Sequence, residues 1–419
     1  MSASRSTSTP EEVERGPPTL NIGVIGHVAH GKSTLVRAII CVKTMQHKAE
    51  LVCNITIKLG YANGKIYRCE DGSCGRMARH RSTGTGPGTA PQQCNGNLAL
   101  IRRISFVDCP GHEVLMRTML SGSSIFDAAI LLVSANESCP QPQTVEHLAA
   151  LSATNLKASS ILVLQNKVDL VGAEAAAKHA DAVRRFLHGT VAEGAPIIPL
   201  SAQFGINVDT VLEHIARVPA PAHNLATAAR MTIIRSFDIN RPGSSIDDLR
   251  GGVAVGSLTQ GVLHVNDNIE VRPGLVTHDR SSGTTTWIPL FSKVTTLSAE
   301  SQKLTTQFRE LCRGDRLVGH VLGQPSSLSP MYATLRFRCE KGGLTDPLNI
   351  GDSILLHVGS AAMKGTVKKV KGGEVIVALA GPVCAEIGEA VAISRLIKGH
   401  WRLAGSGKIL GGKEAKMAD

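Results

Sequence analysis

Apolar runs alternate with helical patterns in the first half of the chain. NIGVIG, ISFVD, DAAILLVSA, SSILVLQNK and APIIPL predict strands, whereas KSTLVRAIICV, TVEHLAALSA and residues 173–188 predict helices. Strands that alternate with helices are typical of a parallel sheet with crossover connections. The pattern ends near residues 219–221, where Pro-Ala-Pro indicates a linker. We therefore predict an α/β domain with a mostly parallel sheet at residues 20–221.

The second half consists of short β-rich segments separated by Gly and Pro. One set contains MTIIRSFDI, GGVAVGSLTQG, GVLHV and NIEVRPG; the other contains ATLRFRC, DSILLHVGS, MKGTVKKV, GEVIVALAGPV and AVAISRL. Evenly spaced short strands predict barrels or sandwiches. We predict two all-β barrel domains after the first domain, at residues 222–328 and 329–419. Residues 1–19 are rich in Ser, Thr, Pro and Glu, so we expect a disordered tail.

Composition narrows the classes of function. The 419 residues are 42% hydrophobic, which excludes a wholly disordered chain. The net charge of +11 favours a polyanionic partner, either nucleic acid or a membrane surface, although a merely basic soluble protein has the same balance. We find no apolar run long enough to cross a membrane and no signal peptide, and the 10 cysteines are scattered. We therefore expect a reduced protein of the cytosol without membrane contact.

Residues 26–33, GHVAHGKS, fit the phosphate-loop pattern G-x-x-x-x-G-K-[ST] between a predicted strand and a predicted helix. Glycines let the backbone N–H groups wrap phosphates, and the helix N-terminus adds partial positive charge. Lys32 would reach the β- and γ-phosphates of a nucleotide. The Ser33 hydroxyl would bind Mg²⁺.

Two further motifs follow at strand ends. Asp108 ends the strand ISFVD, where its carboxylate can hold a Mg²⁺-bound water, and the N–H of Gly111 can sense a γ-phosphate. The run Asn166-Lys167-Val168-Asp169 ends another strand, and its last carboxylate can accept the paired N–H donors of guanine. Adenine lacks those donors, so this motif predicts selection of GTP over ATP. Because these motifs lie at carboxyl ends of strands, we predict a GTP-binding domain.

The switch threonine and the water-orienting residue are less distinctive. Thr56 in NITI is the candidate for a second Mg²⁺ hydroxyl, with an ordinary strand threonine as the alternative. His112 is placed to orient the attacking water, with a solvent-facing histidine at a helix start as the alternative.

The whole set of segments resembles one family. NIGVIGHVAHGKSTLVRAI, ISFVDCPGHEVLMRTML, NESCPQPQTVEHLAAL, GTVAEGAPIIPLSAQ, DDLRGGVAVGSLTQGVL and KGHWRLAGSGKI are similar to the gamma subunit of eukaryotic and archaeal translation initiation factor two. NESCPQPQT and GTVAEGAPIIP are specific to that family. The resemblance implies a GTPase that carries methionylated initiator tRNA to the small ribosomal subunit. It also implies alpha and beta subunits, a GTPase-activating protein and a nucleotide-exchange factor as partners.

The resemblance also assigns site residues by position. The nucleotide-binding residues are His27, Val28, Ala29, His30, Gly31, Lys32, Ser33, Thr34, Gly111, Asn166, Lys167, Asp169, Ser201, Ala202 and Gln203. The catalytic residues are His112, Lys32, Thr56 and Asp108, and the Mg²⁺ shell is Ser33, Thr56 and, through water, Asp108. Val28 and Ile55 match an apolar gate beside His112, and Tyr61 matches an aromatic residue near the tRNA acceptor end.

Residues 69–94 are the place where the family often carries a zinc knuckle. Cys69, Cys74, Cys94 and His80 do not supply two C-x-x-C pairs, so we expect a loop without zinc, with a degenerate site as the alternative.

Two other functions use the same motifs. One is an elongation-type carrier, such as a selenocysteine-specific factor; the other is a subunit that holds GTP and tRNA without hydrolysis. The family-specific segments disfavour the first. The full set of Lys32, Thr56, Asp108 and His112 disfavours the second.

Overall fold

A computed structural model describes the chain except for residues 1–18, 43, 45–58, 71–78, 85–96, 112–118, 121–124, 155, 222–223, 239–251, 279–284, 302, 308–316, 340–346, 398 and 419. The predictions for Ile55, Thr56, His112, Cys74 and Cys94 therefore lie outside the described residues, as does the predicted tail up to residue 18.

The first unit contains a seven-stranded mixed sheet. Its strands are β1 (Leu20–Gly26), β2 (Gly60–Cys69), β3 (His80–Gly84), β4 (Leu98–Asp108), β5 (Ala128–Ser134), β6 (Ile161–Asn166) and β7 (Ile197–Pro199). The strand order is β3-β2-β4-β1-β5-β6-β7. The run from β4 to β7 is parallel, which confirms the mostly parallel prediction, and β2 and β3 form an antiparallel edge.

In the part of this unit that the structure describes, four α-helices cover the two faces of the sheet. They are α1 (Lys32–Ile40), α2 (Pro142–Ser152), α3 (Ala173–Leu187) and α4 (Val208–Arg217). One apolar core joins α2 and α3 to one face, and a second core joins α1 and α4 to the other. Every residue of β1 and β5 is buried, as expected for strands that are covered on both faces.

The second unit is a seven-stranded antiparallel sheet. Its strands are β8 (Arg230–Asp238), β9 (Gly252–Gln260), β10 (Asn268–His278), β11 (Thr285–Lys293), β12 (Leu297–Ser301), β13 (Lys303–Gln307) and β14 (Val321–Gly323). Their order is β11-β10-β14-β8-β9-β13-β12. The strand predicted for GVLHV is wrong: Gly261 has a φ of 71°, which starts a turn instead of continuing β9.

The third unit is a closed barrel, as predicted. It consists of β15 (Met331–Cys339), β16 (Ser353–Val358), β17 (Ala361–Lys371), β18 (Glu374–Cys384), β19 (Ala390–Ile397) and β20 (His400–Glu414) in the order β15-β18-β17-β16-β19-β20. Its inward residues, among them Leu335, Phe337, Ile354 and Val377, form a separate apolar core.

Polar contacts join the second sheet to the barrel. Arg230 of β8 lies 3.2 Å from Glu386 and 3.3 Å from Glu389. The hydroxyl of Ser360 donates to the carbonyl of Ile233 at 2.8 Å. Among the described residues, no helix is long and apolar enough to cross a membrane.

Candidate active site

The phosphate loop spans residues 26–31, between β1 and α1. Gly26, Ala29 and Gly31 have φ values of 142°, 63° and 95°, so the loop uses left-handed backbone at three of its six positions. A Cβ on Gly26 would lie 2.5 Å from the carbonyl oxygen of Leu132, so only glycine fits there. The loop ends at the N-terminus of α1, whose first N–H groups have no partner within the helix. Such a helix start is suited to bind phosphate.

Lys32 extends back across this loop. Its side chain is buried, and Nζ donates to the carbonyl oxygens of Gly26 at 2.9 Å and His27 at 2.8 Å. Burial lowers its pKa from 10.5 to about 8, although Asp108 acts in the opposite direction. The ammonium group is therefore held by weak neutral partners at a place where phosphate oxygens would be stronger ones.

A hydroxyl–carboxylate cluster lies beside the loop. Ser33 Oγ and Thr44 Oγ1 each donate to Asp108 Oδ2 at 2.6 Å. Hydroxyl and carboxylate oxygens are the protein donors that Mg²⁺ prefers, so Ser33 and Asp108 fit the predicted ion. Thr44 was not predicted, because a single threonine after a helix carries no distinguishing pattern.

Gly111 brings the segment after β4 against the phosphate loop. A Cβ at this position would lie 2.5 Å from Lys32 Nζ, 2.9 Å from the Gly26 carbonyl oxygen and 3.0 Å from the Val28 nitrogen. The backbone of Gly111 therefore lies directly against Lys32 and the loop; its role in sensing a γ-phosphate stays a prediction.

Gly111→Ala is expected to lower the free energy of unfolding by about 1–3 kcal/mol, because the methyl group overpacks a filled site. The same change should weaken GDP binding, since Lys32 and the loop must shift to make room. Urea unfolding and titration with a fluorescent GDP analogue measure both effects. Gly172→Ala is the matched control, because nothing lies within 4 Å of its added Cβ. Equal behaviour of the two variants would contradict the close contact.

Asn166 joins the phosphate loop to the predicted guanine segment. Its Nδ2 donates to the His30 carbonyl at 2.8 Å, and its Oδ1 accepts from the Ala202 nitrogen at 3.0 Å. Lys167 has a φ of 63° and turns the chain after β6, which leaves Asp169 exposed in a short 3₁₀ turn. The predicted residues thus lie together at the carboxyl end of the sheet.

The remaining predicted nucleotide contacts lie at the same edge. Thr34 is half-buried in the first turn of α1, and Gln203 is exposed after β7. Ser201 is buried, and its N–H donates to the Ile206 carbonyl at 3.2 Å. Because the N–H groups of Ser201 and Ala202 both have protein partners, neither is free in this conformation to meet a guanine carbonyl.

Residues that the sequence did not single out also hold the loop. Gln143 Oε1 accepts from the Val28 nitrogen at 3.2 Å, and His147 Nδ1 accepts from the Gly26 nitrogen at 3.0 Å. Both residues lie on α2, four positions apart and therefore on one face. The spacing of four residues was the only sequence signal for this contact. It predicts a shared helix face but does not identify the backbone N–H groups that the two side chains bind.

Burial and the nearby Lys32 charge lower the pKa of His147 from 6.5 to about 3. The folded state therefore binds this proton less tightly than the unfolded chain, so stability falls as the pH drops below 6.5. Between pH 6.5 and pH 5 we expect His147 to contribute a loss of about 2 kcal/mol. His147→Gln keeps an acceptor and should show a shallower loss over that range in urea unfolding. Equal slopes for variant and wild type would contradict the assignment.

Tyr61 lies at the contact between the first and second units. Its ring faces the guanidinium carbon of Arg235, 4.9 Å from the ring centroid, and Arg235 also donates to the Leu59 carbonyl at 2.6 Å. Burial raises the pKa of the Tyr61 hydroxyl. In this conformation the ring is covered by a side chain of the second sheet.

The zinc prediction concerns Cys69 and His80 within the described residues. Cys69 is buried at the end of β2, and His80 begins β3. In the part of the chain that the structure describes, there is no group of three or more His, Cys, Asp or Glu residues that could hold a metal ion.

Comparisons with known proteins identify the class of the chain. Residues 17–220 match the family of the elongation factor Tu GTP-binding domain. A crystal structure of translation elongation factor SelB from Methanococcus maripaludis, in complex with the GTP analogue GPPNHP, has the same fold, with a TM-score of 0.66 and 22% identity over 95% of this chain and 80% of that one. The fold and the site define a translational GTPase, which binds GTP or GDP with Mg²⁺.

The more specific matches extend beyond that domain. Residues 333–409 match the family of the initiation factor eIF2 gamma C-terminal domain. The chain is 46% identical over 427 residues to eukaryotic translation initiation factor 2 subunit gamma of Schizosaccharomyces pombe, covering 95% of each protein. It is 45% identical over 444 residues to subunit 3 of the same factor from Drosophila melanogaster, covering 99% of this chain and 93% of that one. The chain therefore belongs to the gamma subunits of eukaryotic translation initiation factor 2, and is a GTP-binding initiation factor subunit with GTPase activity.

Proposed function

We propose that this subunit carries methionylated initiator tRNA to the small ribosomal subunit in its GTP state and hydrolyses GTP after start-codon recognition. The observation that carries the proposal is the likeness to the two initiation factor subunits over nearly the whole chain, through all three units. The net charge of +11 suits a tRNA backbone as ligand. The subunit acts in the cytosol with alpha and beta subunits, a GTPase-activating protein and a nucleotide-exchange factor.

In the proposed mechanism, the phosphate loop and Lys32 position the nucleotide and neutralise its charge. Lys32 exchanges the carbonyls of Gly26 and His27 for phosphate oxygens, which are stronger partners for an ammonium group. Ser33 and, through a water, Asp108 would hold Mg²⁺, and the ion would neutralise the charge that develops on the transferred phosphoryl group. Positioning and charge neutralisation are most of what phosphoryl transfer requires.

Two further roles rest on the family resemblance. Thr56 completes the Mg²⁺ shell, and His112 orients the attacking water beside an apolar gate of Val28 and Ile55. On the guanine side, Asp169 accepts the ring and exocyclic N–H groups. Asn166 and Lys167 steady the base and the loops.

The three sheets support the proposed domain division at residues 20–221, 222–328 and 329–419, because each sheet lies within one of those ranges. Tyr61 is proposed as a contact for the tRNA acceptor end. That contact requires the side chain of Arg235 to leave the Tyr61 ring. Residues 69–94, which include β3, are proposed to bind no zinc.

The test is filter retention of charged tRNA by the subunit together with its alpha and beta partners. Initiator and elongator methionyl-tRNA are each offered with a non-hydrolysable GTP analogue, with GDP or with an ATP analogue. We expect retention of the initiator tRNA only with the GTP analogue. Equal retention of both tRNAs would indicate an elongation-type carrier. Retention that does not depend on the nucleotide would contradict the switch.

Hydrolysis is tested separately by release of the γ-phosphate in a single turnover with the activating protein. We expect release in its presence and slow release without it, on the order of 10⁻⁴ to 10⁻² s⁻¹. No release in either case would identify a subunit that only binds GTP and tRNA.

A further inference from the structure

A segment on one side of the phosphate loop contacts it at three points. We call residues 137–147, which lead from the end of β5 into α2, the brace. Glu137 Oε2 lies 3.3 Å from His30 Nε2, Gln143 accepts from the Val28 nitrogen, and His147 accepts from the Gly26 nitrogen. The brace overlaps the family-specific segment NESCPQPQT and extends three residues beyond it; the nucleotide motifs assign no role to either.

The brace fixes a loop that its own sequence leaves free. Gly26 and Gly31 give the loop many accessible conformations, so the direction of each backbone N–H must be set from outside. The two hydrogen bonds from Gly26 and Val28 hold these N–H groups on α2. Of the other N–H groups of the loop, that of His30 donates to the His27 carbonyl at 3.3 Å. Because His147 is neutral at physiological pH, its Nδ1 is available as an acceptor.

The same helix is anchored on its far side to the barrel. Glu146, next to His147, accepts from Arg402 of β20 at 2.7 Å. The other carboxylate oxygen of Glu146 is buried without a hydrogen-bond partner among the described residues. The charge of Glu146 therefore depends on Arg402, and loss of Arg402 would drive this carboxylate to turn toward water. Glu146 lies within one helical turn of both Gln143 and His147 on α2, so the pair with Arg402 ties that turn to β20.

We propose that α2 couples the C-terminal barrel to the phosphate loop. Gln143 and His147 are positioning residues, and the Glu146–Arg402 ion pair holds α2 where these two residues can bind the N–H groups of the loop. A partner that displaces β20 would thereby speed release of the nucleotide. The proposal rests on the proposed function in one respect, namely that residues 26–33 hold the phosphates.

The first test measures dissociation of a fluorescent GDP analogue from the full chain with Mg²⁺. We expect Arg402→Met to accelerate dissociation about three- to ten-fold, the range that loss of one or two hydrogen bonds produces. The charge swap Glu146→Arg with Arg402→Glu should restore the rate toward that of wild type. Arg338→Met is the matched control, since it breaks another Arg–Glu pair of the barrel, with Glu374, and should leave dissociation unchanged.

The second test asks whether the effect passes through Gln143. Gln143→Ala should also accelerate dissociation, and adding Arg402→Met to it should have less effect than Arg402→Met has alone. Fully additive effects, or a rate for Arg402→Met equal to that of wild type, would overturn the coupling. If Arg402→Met does not fold, as judged by thermal melting, Glu146→Gln replaces it because it keeps the shape of the side chain.

The outcomes separate this proposal from the site that it depends on. Failure of the wild-type chain to bind GDP would contradict the proposed phosphate site itself. A wild-type chain that binds GDP normally, with variants that release it at the wild-type rate, would remove only the coupling.

Discussion

Asp169→Asn is expected to weaken GTP binding at least 100-fold and to improve binding of xanthosine triphosphate. In the proposed site the carboxylate accepts two N–H groups of guanine, and an amide in its place leaves a donor facing the exocyclic amine. Xanthine has a carbonyl there, so the amide can donate to it. Mismatched polar groups in a binding site are among the strongest sources of discrimination.

Competition between fluorescent GDP and each triphosphate measures this exchange of specificity. Asp181→Asn is the control, because Asp181 is an exposed aspartate on α3 that pairs with Arg184 away from the site. If both nucleotides bind the Asp169 variant as they bind wild type, Asp169 does not recognise the base.

Lys32→Met is expected to lower affinity for GTP about 100- to 1,000-fold, because the buried ammonium is the charged partner for the phosphates. The same change should raise the free energy of unfolding of the nucleotide-free protein. The pKa of Lys32 falls from 10.5 to about 8 on folding, so burial of the charged form costs stability at neutral pH. That cost of about 3 kcal/mol is lost progressively as the pH rises from about 8 to 10.5. Methionine removes it but also loses two hydrogen bonds of about 1 kcal/mol each, which leaves a net gain of about 1 kcal/mol.

Urea unfolding of the nucleotide-free protein at pH 7, together with GTP titration, tests both parts of this prediction. Lys178→Met is the control, because Lys178 is exposed on α3 and pairs only with Glu174 among the interactions described. A Lys32 variant that is much less stable than wild type, or that still binds GTP tightly, would contradict the electrostatic argument.

The parts of the site that the sequence predicted are those whose chemistry is local. The phosphate loop, Asp108 and Asn166 each belong to a motif of four to eight residues that follows a strand, so their placement at one edge of the sheet followed from topology. The structure brings all three together, through the Ser33–Asp108 and Asn166–His30 hydrogen bonds.

The parts that the sequence did not predict depend on distant partners. Gln143 and His147 bind backbone N–H groups 115 and 121 positions earlier in the chain. Because every residue except proline has a backbone N–H, the sequence does not show which residue is the partner. The antiparallel edge of β2 and β3 and the long strand β20 were missed for another reason. Glycines and polar residues interrupt the alternation of apolar and polar positions in these strands. Which of their residues are buried therefore depends on the neighbouring strands and not on the sequence pattern.

The contacts that join the second sheet to the barrel have a consequence for how the chain melts. Arg230 ties β8 to two glutamates of the barrel, and Ser360 adds a buried hydrogen bond to β8. Since breaking these contacts would leave buried polar groups unpaired, the two all-β units should lose structure in one cooperative transition. The proposed nucleotide site lies in the α/β unit, so in calorimetry GDP should raise the transition of that unit more than that of the paired β units.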